Sequence, residues 1–127
     1  MDDIKILMQK EIILMREVLA NMHQEEESLK RNDHSLWANV ISQRCEILAL
    51  LSPIREERIL ASKLIEYSDD CDILSLRDQI MALIERINMQ NHMNEQLYKV
   101  AFRPQSALQP EPLKKKKSSI ATYPENG

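Results

Sequence analysis

Residues 4–29, IKILMQKEIILMREVLANMHQEEESL, carry the pattern that decides the fold. Ile4, Met8, Glu11, Met15, Val18, Met22, Glu25 and Leu29 follow one another in steps of four and three. That is the stripe an amphipathic helix lays against a neighbour, and Leu7, Ile12, Leu14 and Leu19 widen it. Asp2 or Asp3 suits the positive end of this helix, and Lys30 and Arg31 suit its negative end. Glu26 with Lys30, and Glu27 with Arg31, add four-residue ion pairs in the favourable order.

Working outward, Asn32-Asp33 breaks the stripe, and Asp33 is placed to cap a second helix beginning at His34. Leu36, Val40, Ile47, Leu51 and Ile54, joined by Trp37, Ile41 and Leu48, continue at heptad-like spacing to about Glu66. Pro53 interrupts this run without a phase break, so the pattern favours a kink there, the alternative being a new segment capped by Ser52 with Pro53 at its first position. Tyr67 to Asp72 forms the next break, with Asp70 or Asp72 as cap. A third helix then runs through Ile73, Leu76, Ile80, Leu83, Ile84 and Ile87 to about Phe102, before Pro104.

The expectation is all-α: an elongated three-helix antiparallel coiled-coil bundle over 1–102, with helices at about 3–31, 34–66 and 73–102. Helices one and two, at 1.5 Å per residue, are rods of roughly 45–50 Å. The only glycine is Gly127, which leaves the body of the chain without a glycine for tight hairpins or phosphate loops. From 103 to 127, prolines and the Lys114–Lys117 run give no periodicity and predict a flexible tail. Residues 1–102 carry 12 basic and 18 acidic side chains, whereas 103–127 carry 5 and 2, so body and tail have opposite net charge.

Several function classes find no support in the residues. His23, His34 and His92 are scattered without a cysteine pair or a helical partner, so no metal and no cofactor is expected. Cys71 lies among Asp69, Asp70 and Asp72, whose field disfavours a thiolate nucleophile, and Cys45 and Cys71 are expected as reduced thiols. The longest apolar run, Ile47–Leu51, is far shorter than a signal-peptide core or a membrane span, which predicts a cytoplasmic protein. Four lysines without interleaved aromatics make a solvated tail, not a nucleic-acid site.

Asn88, Asn91 and Asn94 are the anomaly. They recur every three residues on or beside the stripe that Ile80, Leu83, Ile84 and Ile87 keep apolar. An amide buried without a partner costs about 1–3 kcal/mol, so such a seam should open onto water or a partner. Met89 and Met93, flexible thioethers, lie among them. The expected partner-binding set is Ile87, Asn88, Asn91, Met93, Asn94, Leu97, Tyr98 and Phe102.

Arg44, Ile47, Leu48, Leu51, Ile54 and Arg58, preceded by Glu25 or Glu26, Leu29, Asp33 and Leu36, resemble the hairpin of the FlgN family of type III export chaperones. Ile84, Ile87, Asn88 and Asn91 are similar to that family's Leu-x-x-Leu-Asn-x-x-Asn segment. Thr122-Tyr123 and Gly127 look like its short tyrosine-containing end. Asn94-Glu95 departs from the usual Leu-Leu, and Pro53 is atypical. The resemblance implies a non-enzymatic cytoplasmic chaperone that binds the C-terminal helical segment of a hook–filament junction protein or other type III export substrate. Export-gate or ATPase components would be further partners, and a homodimer is compatible with it. The alternative from another class is a structural coiled-coil subunit, such as an export ATPase stalk or a homo-oligomeric scaffold, in which the polar seam fixes register. A remoter one is a helical enzyme: Leu76-Arg-Asp-Gln-Ile80 with Ile84 is similar to the first helix of chorismate mutases, but the later active-site helices have no counterpart.

Overall fold

The computed structural model describes residues 2–102, which form four helices: α1 (Asp2–Lys30), α2 (His34–Leu60), α3 (Ser62–Glu66) and α4 (Cys71–Ala101). The chain is all-α, and the described residues contain no strand. The segment 103–127, with Lys114–Lys117, lies outside the described residues.

In a body without glycine, Asn32 closes α1. Its φ of 56° is left-handed, a conformation asparagine tolerates better than most residues. The Asp33 amide then donates to the Ser28 carbonyl (2.9 Å) and the Asn32 amide to that of Leu29 (3.1 Å). These two bonds make a Schellman closure with asparagine in the usual glycine place. One residue on, Asp33 starts α2, its Oδ1 accepting from the Leu36 amide at 3.0 Å. Two adjacent residues thus reverse the chain, and α2 returns antiparallel along α1: Asn21 meets Val40 near one end and Glu11 meets Arg58 near the other.

The second helix does not run unbroken to Glu66, as its periodicity predicts. It passes through Pro53 and stops at Leu60; Ala61 is a turn, and α3 follows as a separate short helix. The Ala61 amide is shared between the Glu57 and Arg58 carbonyls, a tightened last turn. After it Ile65 enters the core while Leu64 stays exposed. Burial of Ile65 is thus obtained by a break at a residue with no turn signature. Pro53 itself is exposed on the continuing helix.

α4 begins at Cys71, two residues before the expected start, with Asp70 as cap: its Oδ1 accepts from the Asp72 amide at 2.8 Å. Lys5 Nζ reaches Asp70 (3.0 Å) and Asp72 (3.5 Å), tying the start of α4 to the start of α1. The two helices therefore run parallel, and α1 lies between α2 and α4 as the element both pack against. Met8, Ile12, Met15, Val18, Leu19 and Met22 of α1 meet Leu51, Ile65, Ile73, Ile80 and Leu83 in one apolar cluster. The methionines spaced seven residues apart on α1 are core filling: Met8, Met15 and Met22 are all buried.

A proline inside an exposed helical turn costs up to about 3 kcal/mol relative to alanine. Pro53→Ala should therefore raise the urea midpoint of unfolding with an unchanged slope. An unchanged or lowered midpoint would show that Pro53 sets a bend the fold requires.

Candidate functional site

At the apolar end of the molecule the helices meet mainly through hydrocarbon, with ion pairs beside it; at the other end the three long helices are joined by a polar cluster. Its centre is Glu25 of α1, which is 0% exposed. From α2, Arg44 Nη2 donates to Glu25 Oε1 at 2.5 Å and Trp37 Nε1 to Oε2 at 3.1 Å. From α4, Asn94 Nδ2 donates to Oε1 at 2.9 Å. One carboxylate thus binds all three helices. Arg44, 1% exposed, spends its Nε on Asn21 Oδ1 (2.7 Å), and Asn21 Nδ2 donates to the Val40 carbonyl (2.9 Å). Arg44 Nη1 is buried without a hydrogen-bond partner among the described residues.

Asn94 accounts for part of the asparagine anomaly. Fully buried, it donates a second bond to the Met22 carbonyl (2.8 Å), and its Oδ1 accepts from Gln90 Nε2 at 3.0 Å. Gln90 Nε2 also reaches Glu26 Oε1 at 2.8 Å, and Glu26 bonds Lys30 at 2.7 Å. Where α4 leaves the apolar pattern, it does so to meet Glu25 and Glu26. Asn94, expected on a docking face, has both ends of its amide engaged inside the domain.

The other expected partner residues separate by face. Ile87, Asn91, Leu97 and Tyr98 are half-buried, Phe102 is buried, and Asn88 and Met93 are exposed. Phe102 and Tyr98 belong to an aromatic cap with residues of α2. Phe102 lies 4.3 Å from the His34 ring and 4.6 Å from Tyr98; Trp37 stands 5.4 Å from Tyr98 and 5.5 Å from Phe102. Asn91 Oδ1 is buried and finds no hydrogen-bond partner among the described residues. On the outer side of α4, Met89 (72% exposed), Met93 (46%) and Val100 (62%) stand in solvent together with Asn88.

A second buried carboxylate, Glu11, is bound by Arg55 Nε (3.2 Å) and by Arg58 Nε. Glu11 and Glu25 are two heptads apart on α1, and Arg58 and Arg44 are two heptads apart on α2. The pairing was readable as two acids in the α1 stripe and two arginines at matching spacing in α2. Gln90 and Trp37 carry no comparable signal, because neither recurs at a spacing that matches its partner and neither bears a charge.

No group of three or more His, Cys, Asp or Glu residues is placed to hold a metal ion among the described residues. No described helix is long and apolar enough to cross a membrane. Cys45 and Cys71 are free and exposed. A groove of about 190 Å³ between α1, α3 and α4 is lined by Met8, Arg58, Ile65, Arg77 and Ile80 and lies at the apolar end, away from Glu25. No family model, curated protein or solved structure matches the chain.

Charge pairing ties the start of α4 to α1, and toward its other end the Gln90 amide of α4 joins the Glu26–Lys30 pair of α1. The bond from Lys5 holds the Asp70 carboxyl below its usual 3.8, and the bond from Lys30, assisted by Gln90, holds Glu26 below its usual 4.5. A lowered folded value means stability that is present above the unfolded value and lost as pH falls through the folded one. The protein should lose stability as the medium is acidified below about pH 4. Asp70→Asn and Glu26→Gln should each flatten that acid limb in thermal melts; an unaltered limb would show that these pairs contribute nothing.

Proposed function

We propose that this chain is a cytoplasmic export chaperone of the FlgN kind. In this reading the three long helices act as an elongated antiparallel coiled-coil bundle. It masks the C-terminal helical segment of a type III secretion substrate, such as a hook–filament junction protein, and delivers it to the export apparatus. It acts by binding and not by catalysis. The observation that carries the reading is the exposed apolar face on the last turns of α4, where Met89, Met93 and Val100 stand beside Asn88. An amphipathic client helix needs an elongated apolar surface with a few placed amides, and methionine adapts to more than one client shape.

The resemblance of Arg44–Arg58 and of Ile84, Ile87, Asn88 and Asn91 to the FlgN pattern supports the same reading. It has two physical components here. Arg44 and Arg58 pair with buried carboxylates and maintain the hairpin, while Asn88 is exposed on α4. The docking face is accordingly narrower than the full asparagine seam, because Asn94 and Phe102 are buried within the domain.

Affinity capture from the native cytoplasm tests this. The wild-type chain should recover export substrates through their C-terminal helical segments. Met89→Glu with Met93→Glu should lower that recovery at least about tenfold, the equivalent of 1.4 kcal/mol, with helix content and melting temperature kept. Absence of export substrates, or undiminished capture by the double variant, would overturn the reading.

A further inference from the structure

The solvent side of α4 carries a second heptad seam. Ser75, Gln79, Ala82, Arg86, Met89, Met93, Gln96 and Val100 follow in strict steps of four and three, and all eight are exposed. Arg86 is the only charged member. The buried face of α4, through Ile73, Ile80, Leu83 and Asn94, points to α1, so this seam lies outside the packing of the described residues. A heptad stripe of this length is the surface one helix offers to another.

We infer that the seam pairs with the same seam of a second copy of this chain, the two α4 helices running antiparallel about a twofold axis between Met89 and Met93. A twofold contact must be self-complementary, and this one is. The axis sets Met89 against Met93 of the second copy, Ala82 against Val100, and the guanidinium of Arg86 against the amide of Gln96. On the flank, Glu85 faces Lys99 of the second copy, and Lys99 faces its Glu85. Both residues are exposed and at heptad-matched positions, and among the described residues the ion pair of Lys99 is a 4.0 Å contact to Glu95.

Charge decides the direction. A parallel pair would set Arg86 against Arg86 and leave Glu85 and Lys99 without each other, whereas the antiparallel pair forms both opposite-charge contacts. The polar members of the paired span, Arg86 and Gln96, hold the association weak and reversible. The dimer uses the side of α4 that the chaperone reading assigns to a client helix, but it does not depend on that reading. It is an expected property of the pure protein.

Sedimentation equilibrium of the full chain, from about 1 µM to about 1 mM, should show a monomer–dimer equilibrium. Glu85→Lys and Lys99→Glu should each weaken it about five- to tenfold, since each change replaces two opposite-charge contacts by like-charge ones. The double variant, which restores opposite charges across the axis, should return to within about twofold of wild type. Met93→Glu should leave only monomer. A chain that stays monomeric throughout, a dimer indifferent to Met93→Glu, or a double charge reversal no better than the single changes would overturn the inference. A monomer that still captures export substrates would sink the dimer and leave the chaperone reading standing.

Discussion

The carboxylate of Glu25 is the interaction on which the arrangement of this chain depends. Removing an ion from water is expensive, and a buried carboxylate is tolerated only when its lone pairs are met by donors in good geometry. Here the donors come from both other long helices: Arg44 and Trp37 from α2, and Asn94 from α4. Each donor is held in turn, Arg44 by Asn21 and Asn94 by the Met22 carbonyl and Gln90. Moving any one of the three helices would leave a charge without its partners. The cluster therefore contributes more to choosing one arrangement than to net stability, which comes from the apolar cluster around Met8, Met15, Ile73 and Ile80.

Glu11 repeats the device at the opposite end of α2. The pairs Glu11–Arg58 and Glu25–Arg44 sit two heptads apart on both helices, so a single antiparallel register satisfies both. A slip of one heptad would place both carboxylates against uncharged or apolar positions, among them Leu51 opposite Glu11. Hydrophobic stripes alone distinguish such registers poorly, because one leucine-sized position resembles the next. The short reversal at Asn32-Asp33 acts in the same direction, leaving no slack between the rods. The domain still differs along its length: mainly apolar where α3 and the start of α4 meet α1, polar and aromatic where α4 ends. Its last helical turns are held to the rest by hydrogen bonds and ring contacts.

Much of this was legible in the residues. The α1 stripe, its two acids included, the turn at Asn32-Asp33, the capping by Asp33 and the helical character throughout are local properties, carried by spacing and side-chain chemistry. The break at Ala61 was not, because alanine has no turn preference and the core position of Ile65 just after it leaves no local sign; α2 does continue through Pro53. The asparagines were rightly singled out and only partly understood. Asn94 looks unpaired in a linear reading because Glu25 and Met22 lie about seventy residues earlier in the chain. Tyr98 and Phe102 look like surface anchors until His34 and Trp37 are brought beside them. What spacing shows well is which face is unusual; what it hides is whether the domain or another molecule meets that face.

If Glu25 is the clamp that holds the end of α4, opening of that end must be separable from global unfolding. Native-state hydrogen exchange on the wild-type chain and on Glu25→Gln tests this directly. Amides of 90–101 should exchange through a local opening that Glu25→Gln makes easier by at least about tenfold, while amides of 76–87, held by the apolar cluster, change much less. Uniform acceleration along the whole of α4, or no change at its end, would contradict it.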